Sequence, residues 1–254
     1  MKKLFQILNM LALLATMVIN YLSNTGIFNE ETMATMSAKF QNLFTPAGYA
    51  FSIWGLIYLG LLGFAIYYGP FTKDTDAKEK TILNVGWWFV ISCIANCLWV
   101  FAWLYEYTFL TIPIMALLFF SLLKIIQKNQ YQMQAPDFKT NVFLRLPFHL
   151  YSGWISVALI ADVAAYLKKI QWSGFGISEP TWTVLMLIVA AIIHLYMLWK
   201  FNMTAFALVA VWASIAIAVA NQHSSQTVYA AAGCTALFIF GNITFQMLKK
   251  RRLY

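Results

Sequence analysis

The chain has 254 residues, of which 61% are hydrophobic and 10% are charged. This balance lies far outside that of a soluble globular domain and indicates an integral membrane protein. The formal net charge is +8, but the basic residues stand in short clusters between apolar runs, a pattern typical of membrane topology signals that argues against a nucleic-acid-binding groove.

Eight apolar stretches are each long enough to cross the hydrocarbon core as a helix, which takes roughly 20 residues. They predict an all-α, polytopic transmembrane bundle. The first stretch is retained as a span because its apolar run is long and no A-x-A-like cleavage site follows it. The polar residues 221–225 leave open a hairpin between two spans or an interruption of one long pair. The predicted spans cover residues 5–23, 46–68, 82–104, 108–127, 144–167, 181–200, 203–220 and 227–248.

The distribution of Lys and Arg orients these spans. With eight spans, fourteen of the seventeen basic residues fall on the side of the two termini, and Lys39, Lys168 and Lys169 fall on the other. The positive-inside rule then predicts that both termini are cytoplasmic. The sequence shows no organelle-targeting segment, which favours a bacterial inner membrane.

The long connection after the first span contains the segment NEETMATMSAKFQNLF. Asn29 is predicted to be a helix N-cap, with Glu30 and Glu31 in the first turn. The segment would form a short amphipathic helix at the outer membrane surface, serving as a lid or only as a tie between two spans. Its predicted apolar face consists of Met33, Met36, Phe40 and Leu43.

Asp162 is the only acidic residue well inside a predicted span. An ionised carboxylate is costly there, so we expect it to face the bundle interior, water or a partner. An interhelical hydrogen bond is the structural alternative. The spacing of four places Trp154, Ala158 and Asp162 on one face of the fifth span. Three further residues are predicted to lie in the same outer half of the membrane as Asp162: Trp54, Asn96 and Trp99.

Other kinds of chemistry have little support in the sequence. His149 and His194 lie at other depths and have no second ligand one turn away, and the three cysteines lack metal-ligand spacing. No metal site is therefore predicted. The motifs HExxH and GxSxG and a phosphate-binding glycine loop do not occur, so nothing in the sequence requires an enzyme.

Three segments, TPAGYAFSIWGLIY, ANCLWVFAW and WISVALIAD, combine tryptophans with polar residues at regular spacing. Together they resemble signatures of the TspO/MBR family, the tryptophan-rich sensory proteins related to the mitochondrial translocator protein. Asp162 stands where this family usually has Asn. The similar positions are Pro46, Phe51, Trp54 and Tyr58 in the second span, Asn96 and Trp99 in the third, and Trp154 and Ala158 in the fifth.

The resemblance covers about residues 1–170 and implies a TspO-like five-helix transmembrane unit. Residues 171–254 would then form three additional transmembrane helices with a basic cytoplasmic tail, without a counterpart in the compact members. Gly48 and Ser52 are interpreted as small residues that let helices approach closely or leave room for a ligand.

The resemblance also implies a function. Family members bind tetrapyrroles such as porphyrins, and some bind sterols, in a pocket covered by the loop after the first helix. The expected protein is a membrane binder of a hydrophobic planar ligand, tetrapyrrole-like or sterol-like, acting as a sensor or carrier. No cofactor is required, and a tetrapyrrole is a candidate bound ligand. By resemblance, Trp54, Asn96, Trp99, Ala158 and Asp162 line the pocket, and three residues support it: Phe51, Tyr58 and Trp154.

Two alternative functions remain open at this stage. One is a secondary transporter in which Asp162 takes up and releases a proton. The other is a structural or assembly protein whose last three helices contact a second copy or another membrane protein, since Gly233 and Gly241 would permit close helix contact. Besides the lipid bilayer, the expected partners are a hydrophobic small molecule and such a membrane protein, with no nucleic acid.

Overall fold

The computed structural model describes residues 1–72, 75–134 and 136–251, without the side chains of residues 250 and 251. The described residues form helices and no β-strand. A 3₁₀ turn, Gly48–Ser52, leads into the helix that begins at Ile53, and a π-helical turn, Asn141–Arg145, leads into the helix that begins at Leu146. In chain order the helices are α1 (Lys2–Leu22), α2 (Met33–Lys39), α3 (Ile53–Tyr67), α4 (Asp76–Leu104), α5 (Thr108–Lys128), α6 (Gln130–Gln134), α7 (Phe138–Thr140), α8 (Leu146–Lys169), α9 (Glu179–Phe201), α10 (Thr204–Asn221) and α11 (Gln226–Arg251).

Eight of the helical segments in the described part of the chain are long and apolar enough to cross a membrane. The predicted all-α polytopic bundle of eight spans is therefore confirmed. The polar stretch after α10 is a tight turn, since the backbone N–H groups of Ser224 and Ser225 both donate to the carbonyl of Asn221. The last two spans consequently form a hairpin, one of the two arrangements that the sequence left open.

The chain divides into two compact units. The first contains residues 1–36 and 53–155, and the second contains residues 37–52 and the chain from residue 156 onward. The division predicted from the sequence, after residue 170, separates the part of the chain that carries the family motifs from the part that does not. The two compact units do not test that division, so it stays a prediction.

The first unit has an aromatic core made by α3, α4 and α8. The Phe64 ring contacts the Phe89 and Phe148 rings edge to face, with centroid distances of 5.6 and 5.0 Å. Tyr68, one turn after Phe64, packs on it at 5.3 Å. All four side chains are buried. Edge-to-face packing stabilises the folded state beyond the contribution of apolar burial, so this cluster stabilises the first unit.

Two glycines let α3 approach the start of the eighth helix closely. A Cβ atom at Gly60 would lie 3.1 Å from Cγ of Pro147, and one at Gly63 would lie 3.1 Å from the Phe143 ring. A side chain at either position would require Pro147 or the Phe143 ring to shift. Gly48, by contrast, has no described atom within 4 Å of such a Cβ. Of its two predicted roles, close helix approach does not apply, and the role of leaving room for a ligand stays a prediction.

α4 is interrupted at Gly86, where φ is 40° and ψ is −131°. This conformation lies outside the helical region, and glycine adopts it without the steric cost that a Cβ would add. The Phe5 ring of α1 covers this point and also contacts the Trp87 ring edge to face at 5.5 Å. α4 is therefore kinked at Gly86, where the Phe5 ring of α1 packs against it.

In the second unit, residues 37–52 lie along α10. The Ala47 N–H donates to the carbonyl of Ala216 at 3.0 Å, and the Trp212 indole N–H donates to the carbonyl of Ala50 at 3.1 Å. A packed core joins the three C-terminal helices of this unit and includes Leu198, Ala207, Ala210, Ile239 and Ile243.

The amphipathic helix in the first loop is present but begins later than predicted. Asn29 and Glu30 have positive φ values of 57°, so neither belongs to a right-handed helix. The Asn29 amide donates to the carbonyl of Leu104 instead of capping the helix. The Thr32 hydroxyl accepts from the Thr35 backbone N–H at 3.1 Å and satisfies a free donor at the start of α2.

Candidate functional site

A short chain of hydrogen bonds joins α1, α4 and α8 around Asn96. The Asn20 amide donates to Oδ1 of Asn96 at 2.7 Å, and Nδ2 of Asn96 donates to the Tyr151 hydroxyl at 3.1 Å. Asn96 is only 2% exposed. Both ends of its amide are therefore used, and its position between three helices is fixed.

Aromatic rings pack beside this polar chain. Trp54 and Tyr58 lie one turn apart on α3, so their side chains share a face, and their rings stack at 5.4 Å with an interplanar angle of 23°. The Tyr151 ring meets Trp54 nearly edge-on at 5.7 Å. Tyr151 thus connects the Asn96 amide, through its hydroxyl, to the Trp54 ring. We call Asn20, Trp54, Tyr58, Asn96 and Tyr151 the polar–aromatic cluster.

The Tyr58 hydroxyl is the unsatisfied group of this cluster. Its oxygen is buried and makes no hydrogen bond within the described residues. A buried hydroxyl without a partner costs free energy, because it has lost its bonds to water. It can donate one hydrogen bond and accept others, so it is ready to bind a polar atom on a ligand.

Two further predicted residues, Trp99 and Trp154, belong to the same unit. Trp99 lies on α4, and its ring stacks on Trp103 at 5.6 Å with an interplanar angle of 12°. Trp154 is buried on α8, three residues after Tyr151. The helices that carry the polar–aromatic cluster thus carry these two tryptophans as well.

The other predicted residues fall in the second unit. Phe51 is 41% exposed, whereas Asp162 is only 3% exposed, and Ala158 is half-buried. Of the eight predicted residues, the structure therefore brings Trp54, Tyr58 and Asn96 together in the polar–aromatic cluster. A single site containing all eight stays a prediction.

Sequence reasoning missed two members of the cluster, Asn20 and Tyr151. Asn20 stands four residues after Thr16 near the end of the first span, so a polar face on that helix was visible in the sequence. Tyr151 carried no comparable signal, because tyrosines in membrane proteins usually indicate the lipid–water interface.

The second unit holds a cavity of about 510 Å³. Trp172 and Trp182 form one wall, and their ring centroids lie 5.1 Å apart. The ammonium group of Lys168 and a carboxylate oxygen of Glu179, 3.6 Å apart, form part of its polar lining. The sequence-predicted residues do not line this cavity. Within the described residues, no group of three His, Cys, Asp or Glu side chains is placed to hold a metal ion.

The family comparison agrees with the helical architecture and the aromatic motifs. The model of the family described as TSPO-like protein matches residues 6–245. The chain belongs to the TSPO-like family. The match includes α9 and α10 and most of α11, which lie outside the resemblance carried by the sequence motifs. No curated protein and no solved structure matches the chain. This TSPO-like protein is an integral membrane protein with eight helices suited to crossing the bilayer.

Proposed function

We propose that this TSPO-like protein binds a hydrophobic planar ligand, of the tetrapyrrole or sterol kind, and acts as a membrane sensor or carrier. The polar–aromatic cluster is the proposed site. The observation that carries the proposal is the buried Tyr58 hydroxyl, which has no hydrogen-bond partner within the described residues and lies on a ring stacked against Trp54. Ligand pockets typically combine such apolar walls with a few placed polar groups.

Ligand entry at this site would change the ring contacts of Trp54. One face of its indole is already stacked on Tyr58, so a flat ligand would extend the stack or replace Tyr58 in it. The Asn96 amide, held by Asn20 and Tyr151, keeps one N–H and one oxygen lone pair beyond these two bonds, which gives a preorganised polar edge. A macrocycle with an apolar face and polar substituents has the chemistry to use both.

Titration of the purified protein with protoporphyrin IX tests the proposal, with tryptophan fluorescence as the readout. We expect saturable quenching, because a porphyrin in contact with indole rings quenches their emission. Quenching that rises linearly with porphyrin and never saturates would reflect non-specific partitioning into detergent or lipid, and it would overturn the proposal.

Removal of one oxygen atom tests the role of the Tyr58 hydroxyl. Tyr58→Phe keeps the ring stack on Trp54 but deletes the group that we propose to bind the ligand. We expect porphyrin affinity to fall about fivefold, the loss of a hydrogen bond of roughly 1 kcal/mol. Thermal stability should stay the same or rise, because the variant no longer buries an unsatisfied hydroxyl.

Tyr107→Phe is the matched control, since Tyr107 is an exposed residue outside the spans. The same oxygen is lost there, and affinity should not change. Equal affinities of the wild type and Tyr58→Phe would show that this hydroxyl does not contact the ligand.

Proton-coupled transport is a second candidate, favoured by the burial of the Asp162 carboxyl group in α8. Asp162→Asn keeps the shape of the side chain but removes its titration. If the protein couples transport to protons, porphyrin uptake into proteoliposomes should lose its dependence on a pH gradient while equilibrium binding is retained. Uptake that keeps its pH dependence in the variant would exclude the carboxyl group from coupling.

We further propose that the protein lies in a bacterial inner membrane with both termini in the cytoplasm. The support for the orientation is the charge distribution, in which fourteen of seventeen basic residues fall on the side of the termini. We also keep, as a proposal, contact of the C-terminal helices with a second copy or another membrane protein. A Cβ at Gly233 or Gly241 would meet no described atom within 4 Å, which leaves these two positions accessible to a partner.

A further inference from the structure

One face of α1 is polar along nearly the whole length of the helix. Gln6, Asn9 and Thr16 are buried, and Asn20 is half-buried. With Leu13 between them, these residues follow one another at intervals of three or four, the spacing that lines one face of a helix. We call these five residues the α1 stripe. A span that only anchored the protein in lipid would bury apolar residues at these positions.

The ends of the stripe are held by other helices of the first unit. Near the N-terminus, Nε2 of Gln6 donates to the carbonyls of Tyr68 and Gly69 at 3.0 and 3.1 Å. At the other end, the Asn20 amide donates to Asn96 of the polar–aromatic cluster. These contacts are ordinary interhelical hydrogen bonds and would by themselves explain a structural role.

Asn9 does not fit that structural role. It is 2% exposed, yet neither Oδ1 nor Nδ2 has a hydrogen-bond partner within the described residues. Its burial keeps lipid headgroups and bulk solvent away. In the interior of a membrane protein, an amide with both a free donor and a free acceptor is strongly unfavourable. A small polar molecule that binds next to Asn9 and bonds to its amide would remove this cost.

The packing next to Asn9 also supports such an occupant. Phe5 lies one turn before Asn9 on α1 and covers the interruption of α4 at Gly86. Gly86 leaves the helical conformation, so α4 is irregular where α1 packs against it. A buried water molecule needs two to four polar partners, and the open amide of Asn9 supplies a donor and an acceptor for it.

We propose that water occupies the α1 stripe and forms a polar pathway along it, from the N-terminal end of α1 to Asn96. Leu13 is the single apolar residue of the stripe, and it separates Asn9 from Thr16. It is therefore the narrow step of the pathway. Beyond Leu13, the Thr16 hydroxyl lies 3.5 Å from the carbonyl oxygen of Cys93 and 3.6 Å from the Cys97 sulfur. The pathway does not depend on ligand binding by the cluster.

Hydroxyl-radical footprinting of the full chain in lipid nanodiscs tests this proposal, because X-ray pulses create radicals from water inside the protein as well as outside it. The reporters are Leu13 and Cys93, which are both buried. We expect their oxidation rates, normalised to the intrinsic reactivity of each residue type, to exceed several-fold that of Phe64 in the aromatic core. Rates no higher than that of Phe64 would overturn the proposal.

Two substitutions then locate the water. Asn9→Leu replaces the open amide by an apolar group of similar size, and it should lower the oxidation of Leu13 and Cys93 several-fold. Asn24→Leu, at an exposed position after α1, is the matched control and should leave both rates unchanged. Unchanged rates in a monodisperse Asn9→Leu protein would contradict the role of Asn9.

Leu13→Asn makes the stripe polar throughout and provides a test that does not rely on removing the amide. We expect the oxidation of Cys93 to rise in this variant, because water can then pass the apolar step. No increase in a folded Leu13→Asn protein would show that water does not pass along this face of α1.

Discussion

Replacing Trp54 by Ala is expected to weaken porphyrin binding by at least about tenfold, the change that roughly 1.4 kcal/mol represents. Trp54 contributes the largest flat apolar surface of the polar–aromatic cluster and contacts the rings of Tyr58 and Tyr151. Its removal takes away the stacking surface and also lets Tyr58 move. The measurement is equilibrium titration with protoporphyrin IX, followed by the porphyrin absorption band so that the lost indole does not affect the signal.

Trp87→Ala is the control for this prediction. Trp87 lies on α4 beside Phe5, is 55% exposed and has no place in the cluster. Its loss removes the same indole from a membrane-facing position, so porphyrin affinity should change little. Equal losses in the two variants would mean that porphyrin binds tryptophans non-selectively, and the proposed site would be wrong.

Replacing Phe64 by Ala should cause the largest loss of stability, about 3–5 kcal/mol of the free energy of unfolding. Phe64 is fully buried and contacts Phe89, Phe148 and Tyr68. Truncation leaves a cavity among three rings that cannot collapse to fill it. The free energy can be measured by reversible unfolding in mixed micelles with increasing denaturing detergent.

Phe120→Ala provides the comparison, because Phe120 lies on α5 and is about half exposed. About half of its surface lies outside the protein interior, so its truncation leaves a smaller internal cavity. We expect a loss well below that of Phe64→Ala. Similar losses in the two variants would contradict the assignment of Phe64 to the core of the first unit.

The number and approximate limits of the spans could be predicted from the sequence because membrane thickness sets the length that each apolar helix needs. A helix must be long enough to cross the hydrocarbon and apolar enough to remain there, and both properties are local. The sequence does not decide between a hairpin at residues 221–225 and an interruption of one long pair, because a polar break is compatible with both arrangements. The structure decides it through the bonds of Ser224 and Ser225 to the Asn221 carbonyl.

The start of α2 could not be predicted, because it depends on a tertiary contact. Asn29 followed by Glu30 and Glu31 is a good helix-start pattern. In the structure, however, the Asn29 amide bonds to the carbonyl of Leu104 at the end of α4. This distant acceptor competes with the local capping role, and Thr32 becomes the cap instead.

Part of the candidate site could be predicted from the depth of its residues in the membrane. Trp54 and Asn96 were assigned to the same half of the bilayer from charge counting and helix rise, and both belong to the polar–aromatic cluster. The residue that connects them, Tyr151, was harder to predict from the sequence, because it bonds to Asn96 only when α4 and α8 are packed together. The unsatisfied amide of Asn9 was likewise invisible in the sequence, since burial without a partner is a property of the packed structure.

The most direct test of the proposed ligand site is ¹⁹F NMR of protein labelled with 5-fluorotryptophan in nanodiscs. The Trp54 and Trp87 resonances are assigned by their loss in Trp54→Phe and Trp87→Phe. If the polar–aromatic cluster binds the ligand, adding protoporphyrin IX should shift or broaden the Trp54 resonance with saturation near one equivalent and leave Trp87 unchanged. A saturable change confined to tryptophans other than Trp54 would place the ligand elsewhere and contradict the proposal.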